Sequence, residues 1–89
     1  MNMTPEKEKI LRRLKIIGGQ VQGLQNMISD GAYCIDIITQ TSAVKQALSG
    51  VEDALMEGHL STCLINQIKA GKEKKATEEI LQVYRLKRK

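Results

Sequence analysis

Cys34-Ile35-Asp36-Ile37-Ile38-Thr39-Gln40-Thr41-Ser42-Ala43-Val44 opens the stretch whose reading decides the fold, residues 34–68. Its apolar positions are Cys34, Ile37 or Ile38, Thr41, Val44, Leu48, Val51 and Leu55. They recur at threes and fours, which is the stripe of one helix face. The stretch holds no proline and no turn cluster before Ala70-Gly71. Gly50 and Gly58 stand singly, so they weaken a helix without breaking it. The pattern predicts one long helix over roughly 34–68, fraying after Cys63.

Upstream, Thr4-Pro5-Glu6 starts another helix. Thr4 suits the cap, Pro5 the first helical position, and Glu6 complements the positive helix end. Ile10, Leu14, Ile17, Val21, Leu24 and Ile28 follow at alternating fours and threes. That is a heptad seam, so this helix packs lengthwise on another. Gly18, Gly19 and Gly23 fall inside the helix, and Gly19 and Gly23 stand four apart, the spacing of a close helix crossing. Ser29-Asp30-Gly31 ends the helix, with Gly31 available for a left-handed turn. Downstream, Gly71 ends the long helix and Lys72-Glu73-Lys74-Lys75 leads into a third. Ile80, Leu81, Val83 and Tyr84 give that one its apolar face, and Arg85 to Lys89 is expected to be ragged.

The outcome is an all-α chain, read as a single domain over residues 1–89. With no Phe and no Trp, its core must come from Ile, Leu, Val, Met and Ala. So small a core is marginal alone, and burial between copies of the chain is expected. No stretch approaches the ~20 apolar residues of a membrane span, and Met1-Asn2-Met3-Thr4-Pro5-Glu6 does not read as a signal peptide. A cytoplasmic location is expected, where two cysteines more often mean metal, redox chemistry or burial than a disulfide. Charge is uneven: residues 1–15 carry +3, residues 16–68 carry −4, and residues 69–89 carry +5. Basic ends around an acidic middle fit a polyanion partner as well as they fit a solvated helix exterior.

Three residues carry the chemistry. His59 is the one histidine, and Cys34 and Cys63 are the two cysteines. His59 and Cys63 stand four apart, on one helix face. If residues 34–63 form one helix, Cys34 and His59 are separated by ~37 Å at the helical rise. One chain then cannot gather the three around an ion. Two such helices packed antiparallel place Cys34 of one chain beside His59 and Cys63 of the other, with a second equal site by symmetry. Two thiolates and one imidazole make a soft, three-coordinate set that suits Cu(I); Zn(II) wants a fourth ligand, and Ni(II) more nitrogen or carboxylate. The plainer alternative is that a lone cysteine packs as a small hydrophobe and a lone histidine is a surface or core residue. An enzyme is not expected, because the helix offers no nucleophile–base pair within a chain.

At Ala32-Tyr33-Cys34-Ile35-Asp36-Ile37-Ile38-Thr39-Gln40, Ser42-Ala43-Val44 and Ala47-Leu48 the chain resembles the CsoR/RcnR family of metal-sensing transcriptional repressors. Arg13-Leu14, Gly19-Gln20-Val21 with Gly23, and His59-x-x-x-Cys63 extend the resemblance over nearly the whole chain. It implies a three-helix protomer, an antiparallel four-helix-bundle dimer, and two dimers stacked as a tetramer. It also implies operator double-stranded DNA bound without metal and released when the inducer binds. Cys34, His59 and Cys63 occupy the three ligand positions of the copper(I) sensors. The added N-terminal histidine of the nickel and cobalt sensors is absent. The persulfide sensors share both cysteines and are the closest rival, a nickel-type sensor is a further alternative, and a helical scaffold is more remote. Tyr33 matches a residue that supports the metal-bound histidine, and Glu79 best matches a second, with Glu78 beside it. For DNA, Arg13 and Lys45 match basic residues of the family, and Lys9 and Arg12, with Lys7 and Lys15, can add phosphate contacts. The chain departs from the family at Ile16, Gly18, Gln22 and Gly50, positions where the family carries charge, which puts a standard operator preference in doubt.

Overall fold

The structure is a computed structural model and describes residues 4–88. It is helical, with no strand among the described residues. Helix α1 runs Pro5–Ser29, α2 Cys34–Gly58, a π-helical turn His59–Cys63, α3 Leu64–Lys69, and α4 Glu73–Lys87. The chain divides into two compact units, one ending at Ala54 and the other beginning at Leu55.

Both helix starts and stops follow from local chemistry. Thr4 Oγ1 accepts from the Lys7 backbone N–H at 3.2 Å, with Pro5 opening the helix. At the far end Gly31 adopts φ 70°, and Ala32 N–H reaches back to Met27 C=O at 2.9 Å. That six-residue closure satisfies carbonyls the helix leaves orphaned. It recurs at Gly71, φ 75°, where Lys72 N–H bonds Gln67 C=O at 2.8 Å. A side chain at either glycine would have to enter the left-handed region, strained for other residues.

In the first unit the heptad seam splits. Ile17, Val44 and Val51 are buried, Ile17 at 6 % exposure, with Ile10, Leu24 and Ala47 packed against them. Ile10, Ile17 and Leu24 recur every seventh residue and close the unit. The interleaved places of the same seam, Leu14, Val21 and Ile28, stay open, Ile28 at 66 % exposure. On α2 the same division separates buried Val44 and Val51 from exposed Leu48. The close crossing expected at Gly19 and Gly23 is not made among the described residues: a Cβ at either would meet nothing within 4 Å. Side chains of the Ile17 row form the contact instead, and Gly19 lies off that row, exposed.

Expectations are corrected at two places in the second unit. The helix does not fray after Cys63. It widens into one π turn, in which Leu64 N–H bonds His59 C=O, and then continues to Lys69. Gly58, Cys63 and Leu64 keep right-handed helical dihedrals, so the backbone stays helical through the junction. Ser61 Oγ also donates to Gly58 C=O at 3.3 Å. A side-chain donor on a ladder carbonyl is one of the ways a helix is locally deformed.

The second correction concerns α4. It buries Ala76 at 2 % exposure and half-buries Glu79, Ile80 and Val83. Leu81 and Tyr84, expected on the apolar face, are exposed. The ragged end expected from Arg85 is instead helical to Lys87, and Lys89 lies outside the described residues. Arg85 and Lys87 complement the negative helix end, and the Arg88 guanidinium lies 5.6 Å from the Tyr84 ring centre.

Candidate metal centre

His59 and Cys63 are the first and last residues of the π turn. Four residues overshoot an α turn of about 3.6 residues and fall short of the wider i→i+5 turn. Either way the imidazole and the thiol stay on one face about a turn apart, the arrangement by which helical i,i+4 side chains share an ion. His59 is half-buried and Cys63 exposed. Cys34 is the first residue of α2, also exposed, and both cysteines are free thiols. No side-chain hydrogen bond engages the His59 ring among the described residues, so its nitrogens are open to a ligand. As a donor set, one imidazole and two thiols fit a soft ion. Among the described residues of one chain, no three His, Cys, Asp or Glu side chains gather into a metal-holding group.

The neighbours proposed from the sequence are placed as follows. Tyr33 precedes α2, and its backbone C=O accepts from Asp36 N–H at 3.0 Å and Ile37 N–H at 3.2 Å. Its side chain is 68 % exposed. Glu79 is half-buried on the face of α4 that holds Ala76, whereas Glu78 points to solvent. The two carboxylates thus differ in burial. Glu79 Oε1 accepts from Gln67 Nε2 at 3.2 Å. The other end of that amide, Gln67 Oε1, is buried without a hydrogen-bond partner. An orphaned buried acceptor is destabilising by about 1–3 kcal/mol. Gln67 was not singled out from the sequence. The available signal was a polar residue four places beyond Cys63 on the same stripe.

The basic residues considered for DNA, Lys9, Arg12 and Arg13 on α1 and Lys45 on α2, are all exposed. Arg13 stands over a shallow groove lined by Ile16, Ile17, Gln20, Ala47 and Gly50. Two of the four departures from the family's charged positions, Ile16 and Gly50, thus line one groove. Gln20 Oε1 is buried there without a partner, a second feature that periodicity did not reveal.

The metal-sensitive transcriptional repressor family matches residues 6–86. The chain belongs to this family. It is 44 % identical over 80 residues to the copper-sensing transcriptional repressor CsoR of Bacillus subtilis (strain 168), covering 90 % of this chain and 79 % of that one. It is 41 % identical over 68 residues to the copper-sensing transcriptional repressor RicR of Mycobacterium tuberculosis, covering 76 % of this chain and 71 % of that one. Among solved structures it is similar to the copper-sensing repressor CsoR with Cu(I) from Geobacillus thermodenitrificans NG80-2. The TM-score is 0.90 at 39 % identity, over 100 % of this chain and 94 % of that one. The metal-sensitive repressors are transcription regulators rather than enzymes, and the all-helical fold agrees with that assignment. No helix among the described residues is long and apolar enough to cross a membrane.

Proposed function

We propose that this chain is a cytoplasmic copper(I)-responsive repressor, acting as a single unit over residues 1–89, that holds operator DNA without metal and releases it when Cu(I) binds. The observation that carries the reading is the donor set. One imidazole and two free thiols are all the histidine and cysteine the chain has, and relatives at 44 % and 41 % identity are copper-sensing repressors. Cys34 of one chain would join His59 and Cys63 of a second. Cu(I) supplies a soft Lewis acid that prefers two thiolates and an imidazole over harder donors.

The assembly is an antiparallel dimer, paired further into a tetramer. Its support is the open half of the heptad seam, Leu14, Val21 and Ile28 with Leu48, which the folded protomer leaves exposed. Contiguous exposed apolar rows of this kind mark association surfaces. Tyr33 and Glu79 orient the imidazole, since a metal-bound histidine is held by the acceptor at its other nitrogen. Lys9, Arg12, Arg13 and Lys45 meet DNA phosphates and so set affinity and its salt dependence.

Linkage makes the reading testable: copper must weaken DNA binding by the same factor that DNA weakens copper binding. Anaerobic Cu(I) titration with operator binding followed in parallel is the decisive measurement. Undiminished operator affinity in copper-saturated protein rules the reading out. A second reading, release through a sulfur bridge between Cys34 and Cys63 after persulfide exposure, is favoured by the exposure of both free thiols. Mass spectrometry after treatment with a sulfide donor separates the two, because only the second gives a covalent intersubunit crosslink.

A further inference from the structure

We infer that Gln67 is a positioning residue that holds the Glu79 carboxylate off His59 and so raises the copper level at which the protein responds. The inference rests on the proposed role of Glu79 as the acceptor for the metal-bound imidazole.

Gln67 is anchored twice. Its backbone C=O accepts from Lys72 N–H at 2.8 Å, closing the turn between α3 and α4. Its side-chain Nε2 donates to Glu79 Oε1 at 3.2 Å. A carboxylate offers only acceptors, so the amide must present its NH2 group, and this orientation leaves Oε1 buried and unpartnered. The amide thus satisfies one end only. Such a clasp is specific for Glu79 and easily released.

Its position makes it exclusive. His59 precedes Gln67 by eight residues on a continuous helical backbone, about 12 Å along the axis. One glutamate side chain cannot serve both ends of that span. Bonded to Gln67, Glu79 is withheld from the imidazole, whose ring has no side-chain hydrogen bond among the described residues. Once a metal binds one imidazole nitrogen, the other N–H needs an acceptor. Glu79 is the half-buried carboxylate of α4, since Glu78 and Glu73 are exposed. Supplying it strips Gln67 Nε2 of its partner while Oε1 is still unsatisfied. The clasp and the metal-engaged carboxylate therefore compete, and Gln67 weights the metal-free side.

The test is anaerobic competition for Cu(I) against a chelator of known affinity, on the full chain. Gln67→Leu is expected to tighten Cu(I) binding by about tenfold, the worth of one hydrogen bond to a charged group. Metal-free operator affinity should stay unchanged. Gln67→Glu, which keeps size and polarity but repels the Glu79 carboxylate, should tighten it in the same direction and guards against a folding defect in the first variant. In a Glu79→Ala background neither substitution should matter. Unchanged or weaker Cu(I) binding in both folded variants overturns the inference, and so does a gain that survives removal of Glu79. His59→Ala separates the two levels. If it leaves Cu(I) affinity intact, the Cys-His-Cys reading itself fails; if it destroys affinity while the Gln67 variants are silent, only the clasp does.

Discussion

The two units are held in opposite ways. In the first, Ile17 meets Val44 and Val51, with Ile10, Leu24 and Ala47 around them. In the second, the buried anchor is Ala76, and among the described residues the Gln67 amide links two helices by donating to the Glu79 carboxylate. An aliphatic joint draws its strength from area removed from water and has no alternative partner to choose. A polar joint is weaker in net terms, and it can exchange partners at little cost when another donor or acceptor is offered. The rigid joint carries the basic residues of α1 and Lys45. The exchangeable joint belongs to the unit that holds His59 and Cys63. On the proposed function, stability and responsiveness would fall to different parts of a short chain.

This contrast can be broken from either side. The largest effect is expected at Ile17→Ala, which should lower unfolding free energy by about 2–5 kcal/mol in equilibrium denaturation. Cys63→Ser should leave unfolding within about 0.5 kcal/mol, as for an exposed position. Yet it should weaken Cu(I) binding by more than about 100-fold, beyond what loss of an outer contact to a metal ligand gives. If that serine variant unfolds as readily as Ile17→Ala, the division of labour between the units is wrong. Leu48→Lys, on the open row, should leave the protomer helical by circular dichroism. It should also reduce self-association by at least about tenfold in sedimentation, because a charge would have to be desolvated there. The smallest effect is expected at Gly19→Ala. Nothing among the described residues obstructs a Cβ there, so the protomer should gain about 0.4–1 kcal/mol. Loss of self-association in the same variant would place a helix crossing at Gly19 between two copies.

What the sequence made legible was what local chemistry decides. Thr4, Pro5, Gly31 and Gly71 fix ends through caps and left-handed turns, and those ends are where they were expected. Period-seven spacing announced the seam, but could not say which half would close inside the chain, because both halves are equally apolar. The π turn was invisible for a related reason. It changes which carbonyl each N–H meets, a choice made by backbone geometry around Gly58 and Ser61 rather than by hydropathy. Glu79 was separable from Glu78 only once α4 had a buried side. Leu81 and Tyr84 read as core because their hydropathy says so, yet Ala76 is the residue that lets α4 come close. Gln67 went unread because a glutamine on a stripe resembles any solvated polar residue until its partner is known.

The π turn has a consequence for phase. Counting by seven from exposed Leu55, the next place in a regular helix is Thr62. The wide turn absorbs one extra residue and hands that place to Cys63. The thiol therefore follows Leu55 on its stripe only because the helix slips by one step in the π turn. Such a slip acts as a vernier between two scales, the seam that measures packing and the ligands that measure reach. It makes the segment from Leu55 to Cys63 intolerant of length. A single residue inserted or deleted there would turn the thiol to another side of the helix, although every residue named in the site were still present.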